Sequence, residues 1–263
     1  MKKANILSLT GQKISEIELP SAFEYRVDKE LIKKAFLAEQ SSKFQLKYTD
    51  PLAGRRKSSI LSKTRRTYKT VYGHGLTRTP KKVTWHVGTQ FVYVGATAPN
   101  AVGGREAHPP QPNKVLEKKI NKKEKIAAIK SAISASTNLD IVGSLHRIKN
   151  AELPIIVEDK INDITKTKEL YKVLSSLGLE SEVDRAKDKN IRAGRGKMRG
   201  RKYKRRLGLS IITTDPSRLR KSAENLNINV IDVKNLGISD VSHAGKPGRL
   251  IVWSQGAISS IKL

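Results

Sequence analysis

The stretch from Ser41 to Asn113 carries no amphipathic helical periodicity, although helix-like segments flank it on both sides. A connection that long inside a compact domain normally contradicts the assignment of its neighbours, unless function demands it. Its charge supplies the reason. Between Lys43 and Lys82 stand twelve Lys and Arg residues against one acid, Asp50. A second run, Arg185 to Arg206, repeats that ratio with Asp188 as its acid. Of 263 residues, 52 are Lys or Arg and 24 are Asp or Glu, and most of the resulting +28 lies in these two runs. Like charges repel, and the few apolar residues cannot offset ordering entropy, so the long insertion is expected to be disordered when free. A field of this size calls for a polyanionic partner. Nucleic acid fits best, because counterion release drives its binding. A membrane surface fits poorly: aromatic residues are 5% of the chain, and no basic helix shows a broad apolar face.

Outside the two runs the charge balance is ordinary, and the pattern is that of a mostly parallel α/β sheet with helices on both faces, in a Rossmann-like three-layer domain. Residues 4–9, 152–159, 209–214, 227–233 and 248–253 read as strands. Asp28 is placed to cap a helix with Leu31, Ile32, Ala35 and Phe36 on one stripe. Asn121 and Glu124 have capping-box spacing before a helix that aligns Ile126, Ile129 and Ile133. Thr167 is expected to cap a helix carrying Leu170, Val173, Leu174 and Leu177 and stopping at Gly178, and Asp215-Pro216 to open another as N-cap and first residue. The expectation is one domain over 1–263, with an extended loop at 41–113 and a second basic loop at 185–206.

Inside the long insertion VTWHV and QFVYV flank Gly88-Thr89, a spacing suited to a type II′ hairpin that pairs Trp85 with Val92 and Val83 with Val94. Pro109, Pro110 and Pro112 favour extended polyproline geometry beyond it. A globule of about 190 residues has a radius of gyration of roughly 16 Å, whereas about 35 extended residues out and back reach on the order of 100 Å. The insertion can therefore thread far from its own domain. His74, His86 and His108 share it with Tyr68, Tyr72, Trp85 and Tyr93. These rings suit stacking on unpaired bases, while Trp85 and Tyr93 equally suit stabilising the hairpin.

Catalytic and cofactor patterns are missing. Gly194, Gly196 and Gly200 are one residue off the dinucleotide fingerprint and follow no apolar strand. They suit close approach of backbone to a phosphodiester chain, with flanking arginines gripping phosphates. The histidines lack metal-ligand spacing, and the absence of Cys excludes disulfides and thiolate sites. No cofactor, metal or small-molecule substrate is expected, and no membrane span. The apolar run in MKKANILSLTG is too short for a signal peptide, which points to the cytoplasm. An RNA-modifying enzyme with a nucleotide-binding α/β domain is the principal alternative, and an architectural DNA-binding protein a third.

Five blocks then become specific: TDPLAGRRKS (49–58), AVGGREAHPPQP (101–112), KINKKEKIAAIKSAISA (119–135), RAGRGKMRGRKYKRR (192–206) and GKPGRLIVW (245–253). In this order they closely resemble the archaeal and eukaryotic branch of the family of large-subunit ribosomal protein number four, and the lack of a long basic C-terminal extension resembles the archaeal type. The resemblance implies a structural protein of the cytoplasmic ribosome that binds large-subunit rRNA, acts early in subunit assembly, touches neighbouring ribosomal proteins, and sends its long loop to help line the peptide exit tunnel. The tip would be Tyr72, Gly73, His74, Gly75, Leu76 and Thr77. Under this reading Arg55, Arg56, Lys57, Arg65, Arg66, Lys69, Arg78, Lys81 and Lys82 neutralise phosphates along the loop, with Arg105 and His108 on its return. A second clamp consists of Arg192, Arg195, Lys197, Arg199, Arg201, Lys202, Tyr203, Lys204 and Arg205, where Tyr203 either stacks on a base or packs on its own domain.

Overall fold

The computed structural model of the protein describes residues 3–47, 50, 59, 62–96, 98–102, 105–148 and 152–261. In chain order its regular elements are β1 (Lys3–Leu7), β2 (Lys13–Glu18), α1 (Lys29–Ser42), β3 (Lys81–Val87), β4 (Gln90–Gly95), α2 (Lys122–Ala135), α3 (Leu139–Gly143), β5 (Ile155–Val157), α4 (Thr167–Ser176) and α5 (Glu180–Lys187). They continue with β6 (Lys189–Ile191), β7 (Tyr203–Arg205), β8 (Ser210–Thr213), α6 (Leu219–Asn225), β9 (Asn229–Asp232), α7 (Ile238–Val241), β10 (Ile251–Ser254) and α8 (Gln255–Ser260). The chain divides into two compact units, 1–43 with 117–263, and 44–116.

The first unit is built on a six-stranded sheet in the order β2-β1-β5-β10-β8-β9. Strands β1, β5, β10, β8 and β9 run parallel, and β2 adds an antiparallel edge against β1. The central strands are short apolar runs because both of their faces are covered. Alternation sends Ile155, Val157, Ile211 and Val252 to one face, under Leu170 and Leu174 of α4, Val183 of α5 and Leu219 of α6. It sends Ile6, Ile156, Ile212 and Trp253 to the other, under Ile32 of α1, Ile129 and Ile133 of α2, and Ile258 of α8. Trp253 meets Phe23 edge-on at a centroid distance of 5.4 Å. Each of these side chains contributes roughly 1.5–3 kcal/mol by leaving water.

The caps divide into those that form and those that do not. Asp28 caps α1 through bonds from the backbone N–H groups of Glu30 and Leu31, and Gly178 adopts φ 76° just past α4. Asn121 precedes α2 but its side chain caps nothing, and Ile126 in the opening turns stays 43% exposed. Thr167 is the first residue of α4, after Lys166, and its hydroxyl does not cap. Asp215 closes a turn onto Ser217 N–H instead of opening a helix, so α6 begins only at Leu219. The edge strand β2 escaped the sequence reading because KISEIE is largely exposed and carries no apolar run.

In the second unit β3 and β4 form the expected hairpin, with Gly88 at φ 52°. Trp85 faces Val92, but a bulge at Thr84 shifts the ladder, so Val83 faces Tyr93 and not Val94. The Thr84 hydroxyl donates to Val92 O at the bulge (3.3 Å), where an extra residue leaves one strand out of step.

Candidate nucleic-acid interface

The second basic run is an antiparallel ribbon, a feature its sequence did not reveal. Strands β6 and β7 pair Lys189 with Arg205, Asn190 with Lys204 and Ile191 with Tyr203. Arg192 N–H donates to Lys202 O at 2.9 Å and extends the pairing by one step. The ribbon ends in a tight turn where Gly194 and Gly200 adopt φ 79° and 78°, a backbone that side chains disfavour. Arg199 and Arg201 N–H both donate to Gly196 O. The glycines therefore let the backbone fold back on itself at the tip.

Arg195, Lys197, Arg199, Arg201, Lys202, Tyr203, Lys204 and Arg205 are exposed, and Arg192 is half-buried. Among the described residues none of the ribbon's cations has a carboxylate partner. Two lysines lie instead against the exposed Tyr203 ring, Lys202 at 5.5 Å and Lys189 at 6.0 Å from its centroid. Tyr203 thus stays on the ribbon surface with Ile191 and is not folded into the core.

The root of the ribbon is held by a buried polar latch. Glu182 on α5 is 0% exposed. Its carboxylate accepts from His146 Nδ1 (2.6 Å), Arg147 N–H (3.0 Å), Arg185 Nε (2.7 Å) and Arg185 Nη2 (2.6 Å). Arg185 also donates to Leu207 O at 2.8 Å, just beyond β7. Asn227, at φ 60°, spans both sides of the root by donating to Ala186 O (3.0 Å) and Arg206 O (2.8 Å). Burial pushes the Glu182 carboxyl up, but the bonds from Arg185, His146 and Arg147 outweigh it and hold it at about 2. The same pairing raises Arg185. Beside the latch His243 meets the His146 ring edge-on at 5.1 Å, and burial with the neighbouring positive charges draws it down to about 4. Arg185, one of the twelve cations in its run, therefore faces inward and serves the scaffold. Arg249 is likewise buried, donates to Ser239 O, and is lowered by desolvation to about 10.

The long insertion leaves and rejoins the first unit at one place, where Ser41 Oγ accepts from Lys118 N–H at 2.8 Å. Along it Arg66, Arg78 and Lys82 are exposed, Lys69 and Arg105 half-buried, and His108 exposed. Arg65 is exposed but donates to the Tyr72 hydroxyl at 2.7 Å. Lys81 is turned inward, 7% exposed, and donates to the Thr77 and Thr79 hydroxyls at 2.6 and 3.2 Å. Its charge orders the turn after the tip and is not offered to solvent. Tyr72, Gly73, His74, Gly75, Leu76 and Thr77 form exposed turns in which Gly73 and Gly75 take φ 81° and 65°. Arg55, Arg56 and Lys57 lie outside the described residues. Among the described residues no helix is long and apolar enough to cross a membrane.

The profile of the Ribosomal protein L4/L1 family matches residues 17–262. The chain belongs to this family. It is 40% identical over 265 residues to the large ribosomal subunit protein uL4 of Methanocaldococcus jannaschii, covering 99% of this chain and 98% of that one. The uL4 protein of Nanoarchaeum equitans is 37% identical over 98% of this chain and 96% of its own length. That of Sulfurisphaera tokodaii is 39% identical over 100% and 94%. As an L4/L1 family member of the archaeal type, the chain is a structural large-subunit protein of the cytoplasmic ribosome and not an enzyme. For this family member, sequence reasoning missed the residues that aim the ribbon: Glu182, His146 and Asn227. Their one local signal was the three-residue spacing of Glu182 and Arg185 on a short helix, which the surrounding positive charge obscured.

Proposed function

We propose that the chain binds large-subunit rRNA through two basic surfaces and thereby supports early subunit assembly. One surface is the ribbon bearing Arg192, Arg195, Lys197, Arg199, Arg201, Lys202, Tyr203, Lys204 and Arg205. The other is the long basic loop, carried on a Rossmann-like domain, which enters the RNA with Arg55, Arg56, Lys57, Arg65, Arg66, Lys69, Arg78 and Lys82 against phosphates, and Arg105 and His108 on its return. Its Tyr72 to Thr77 tip helps line the peptide exit tunnel, and the rest of the domain meets neighbouring ribosomal proteins. The observation that carries this reading is the ribbon: a paired hairpin, hydrogen-bonded at its root, whose exposed cations lack carboxylate partners among the described residues. Pairing matters because cations carried on an ordered backbone lose less entropy on meeting phosphates than those of a flexible tail do.

Binding of an rRNA fragment as a function of salt tests it. Even ~6 to 10 phosphate contacts lose about 10³- to 10⁵-fold in affinity between ~50 and ~200 mM salt. A nearly flat dependence would sink the two-surface reading. Competition with duplex DNA at ~0.2 M salt is expected to leave folded rRNA bound, since a loop that threads into RNA reads shape and unpaired bases.

A further inference from the structure

The second unit contains a built cleft beyond the phosphate-binding reading. It has a volume of about 770 Å³, inside the ~300–1,000 Å³ range of small-ligand sites. Its apolar side is the hairpin, where Phe91 and Tyr93 lie 6.2 Å apart on β4. Adjoining it is the turn carrying Tyr68, whose ring meets Phe91 edge-on at 5.1 Å yet remains 64% exposed. The Tyr93 hydroxyl donates to Thr70 O at 3.2 Å and fastens this turn to the hairpin. Arg66 and Lys69 flank Tyr68 at φ 57° and 59°. Two non-glycine residues held left-handed within one turn are a costly arrangement, of a kind that clusters at ligand clamps. Lys69 Nζ stands 5.5 Å from the Tyr68 centroid, so a cation lies beside the ring. Gln90 adds an amide at the rim, and among the described residues lining the cleft none is acidic.

We propose that this cleft seats one unpaired nucleotide of the RNA: its base stacks on the exposed face of Tyr68 beside the Phe91–Tyr93 wall, its edge meets Gln90, and its phosphate lies by Arg66 and Lys69. An aromatic wall, one amide and two cations match the three parts of a nucleotide in chemistry and sign. The folded hairpin is then part of a receptor for a base and not only a loop stiffener. The inference rests on the RNA-binding reading and extends it from phosphates to a base.

The full chain is titrated with the rRNA fragment across a salt series, as wild type and as Tyr68→Leu, Tyr68→Phe and Tyr68→Trp. Base–aromatic stacking does not release counterions, so Tyr68→Leu is expected to weaken binding about tenfold at every salt concentration with an unchanged slope. Phe and Trp restore the affinity. In the complex one nucleotide shielded from base-directed chemical probing by wild type becomes reactive with Tyr68→Leu. Wild-type affinity for Tyr68→Leu with no nucleotide unmasked, or a loss expressed only in the slope, overturns the proposal. A photoreactive residue at position 68 that cross-links to protein in the assembled subunit also overturns it. A flat salt dependence of the wild type would instead refute the underlying RNA-binding reading.

Discussion

Glu182→Gln tests whether the latch at the ribbon's root stabilises the fold. The amide preserves shape but removes the charge that accepts from Arg185, His146 and Arg147, and its NH₂ turns a donor toward donors. Two routes give the magnitude. The carboxyl falls from 4.5 to about 2 on folding, which at ~1.36 kcal/mol per unit corresponds to about 3 kcal/mol. Removing one partner of a buried ion pair costs about 3–5 kcal/mol. Because the folded value lies below the unfolded one, the contribution is complete above about pH 4.5 and disappears as pH falls towards 2. Urea unfolding followed by fluorescence of the buried Trp253, with Trp85 replaced by Phe, measures this directly. At pH 7 the variant should lose about 3 kcal/mol, or roughly 6–12 °C in Tm for a domain of this size. Wild type and variant should converge near pH 2. A loss below about 1 kcal/mol at pH 7, or a difference that persists undiminished at acid pH, would refute the reasoning.

Two further outcomes are expected. Asn227→Ala removes both bonds across the ribbon's root and places Ala at φ 60°, costing about 2–3 kcal/mol; amide exchange should quicken in β6 and β7 before the central sheet, and uniform protection would count against the latch. His243 is drawn from 6.5 to about 4 in the fold, so the unfolded chain binds more protons between those values and stability should fall as pH drops through that window. His243→Leu should flatten that step while leaving the lower one due to Glu182, and an unchanged upper step would show that another group titrates there.

Charge and apolar pattern made the scaffold legible. IIV, SIIT and IVWS read as buried strands, and helices such as α4 showed one apolar stripe with a glycine stop. The Gly88-Thr89 turn foretold a hairpin down to the Trp85–Val92 pair, because turn chemistry is local. The bulge at Thr84, the failed cap at Asn121 and the inward turn of Lys81 were not legible. Each depends on the backbone conformation that the folded chain adopts around it, even where the partner, as with Thr77 and Thr79 for Lys81, is close in sequence. The same limit applied to function. The sequence by itself showed that two segments concentrate positive charge and call for a polyanion, and their family resemblance named the polyanion. Only the tertiary structure decided which cations are available and how they are aimed. Arg185 and Arg249 are drawn inward by acceptors at Glu182 and Ser239, while the ribbon's arginines stay outward on a frame that Asn227 ties at its root. A positive charge is a property of the residue, but its exposure is set by whether burial supplies a partner to replace water, and that partner is known only once the chain has folded.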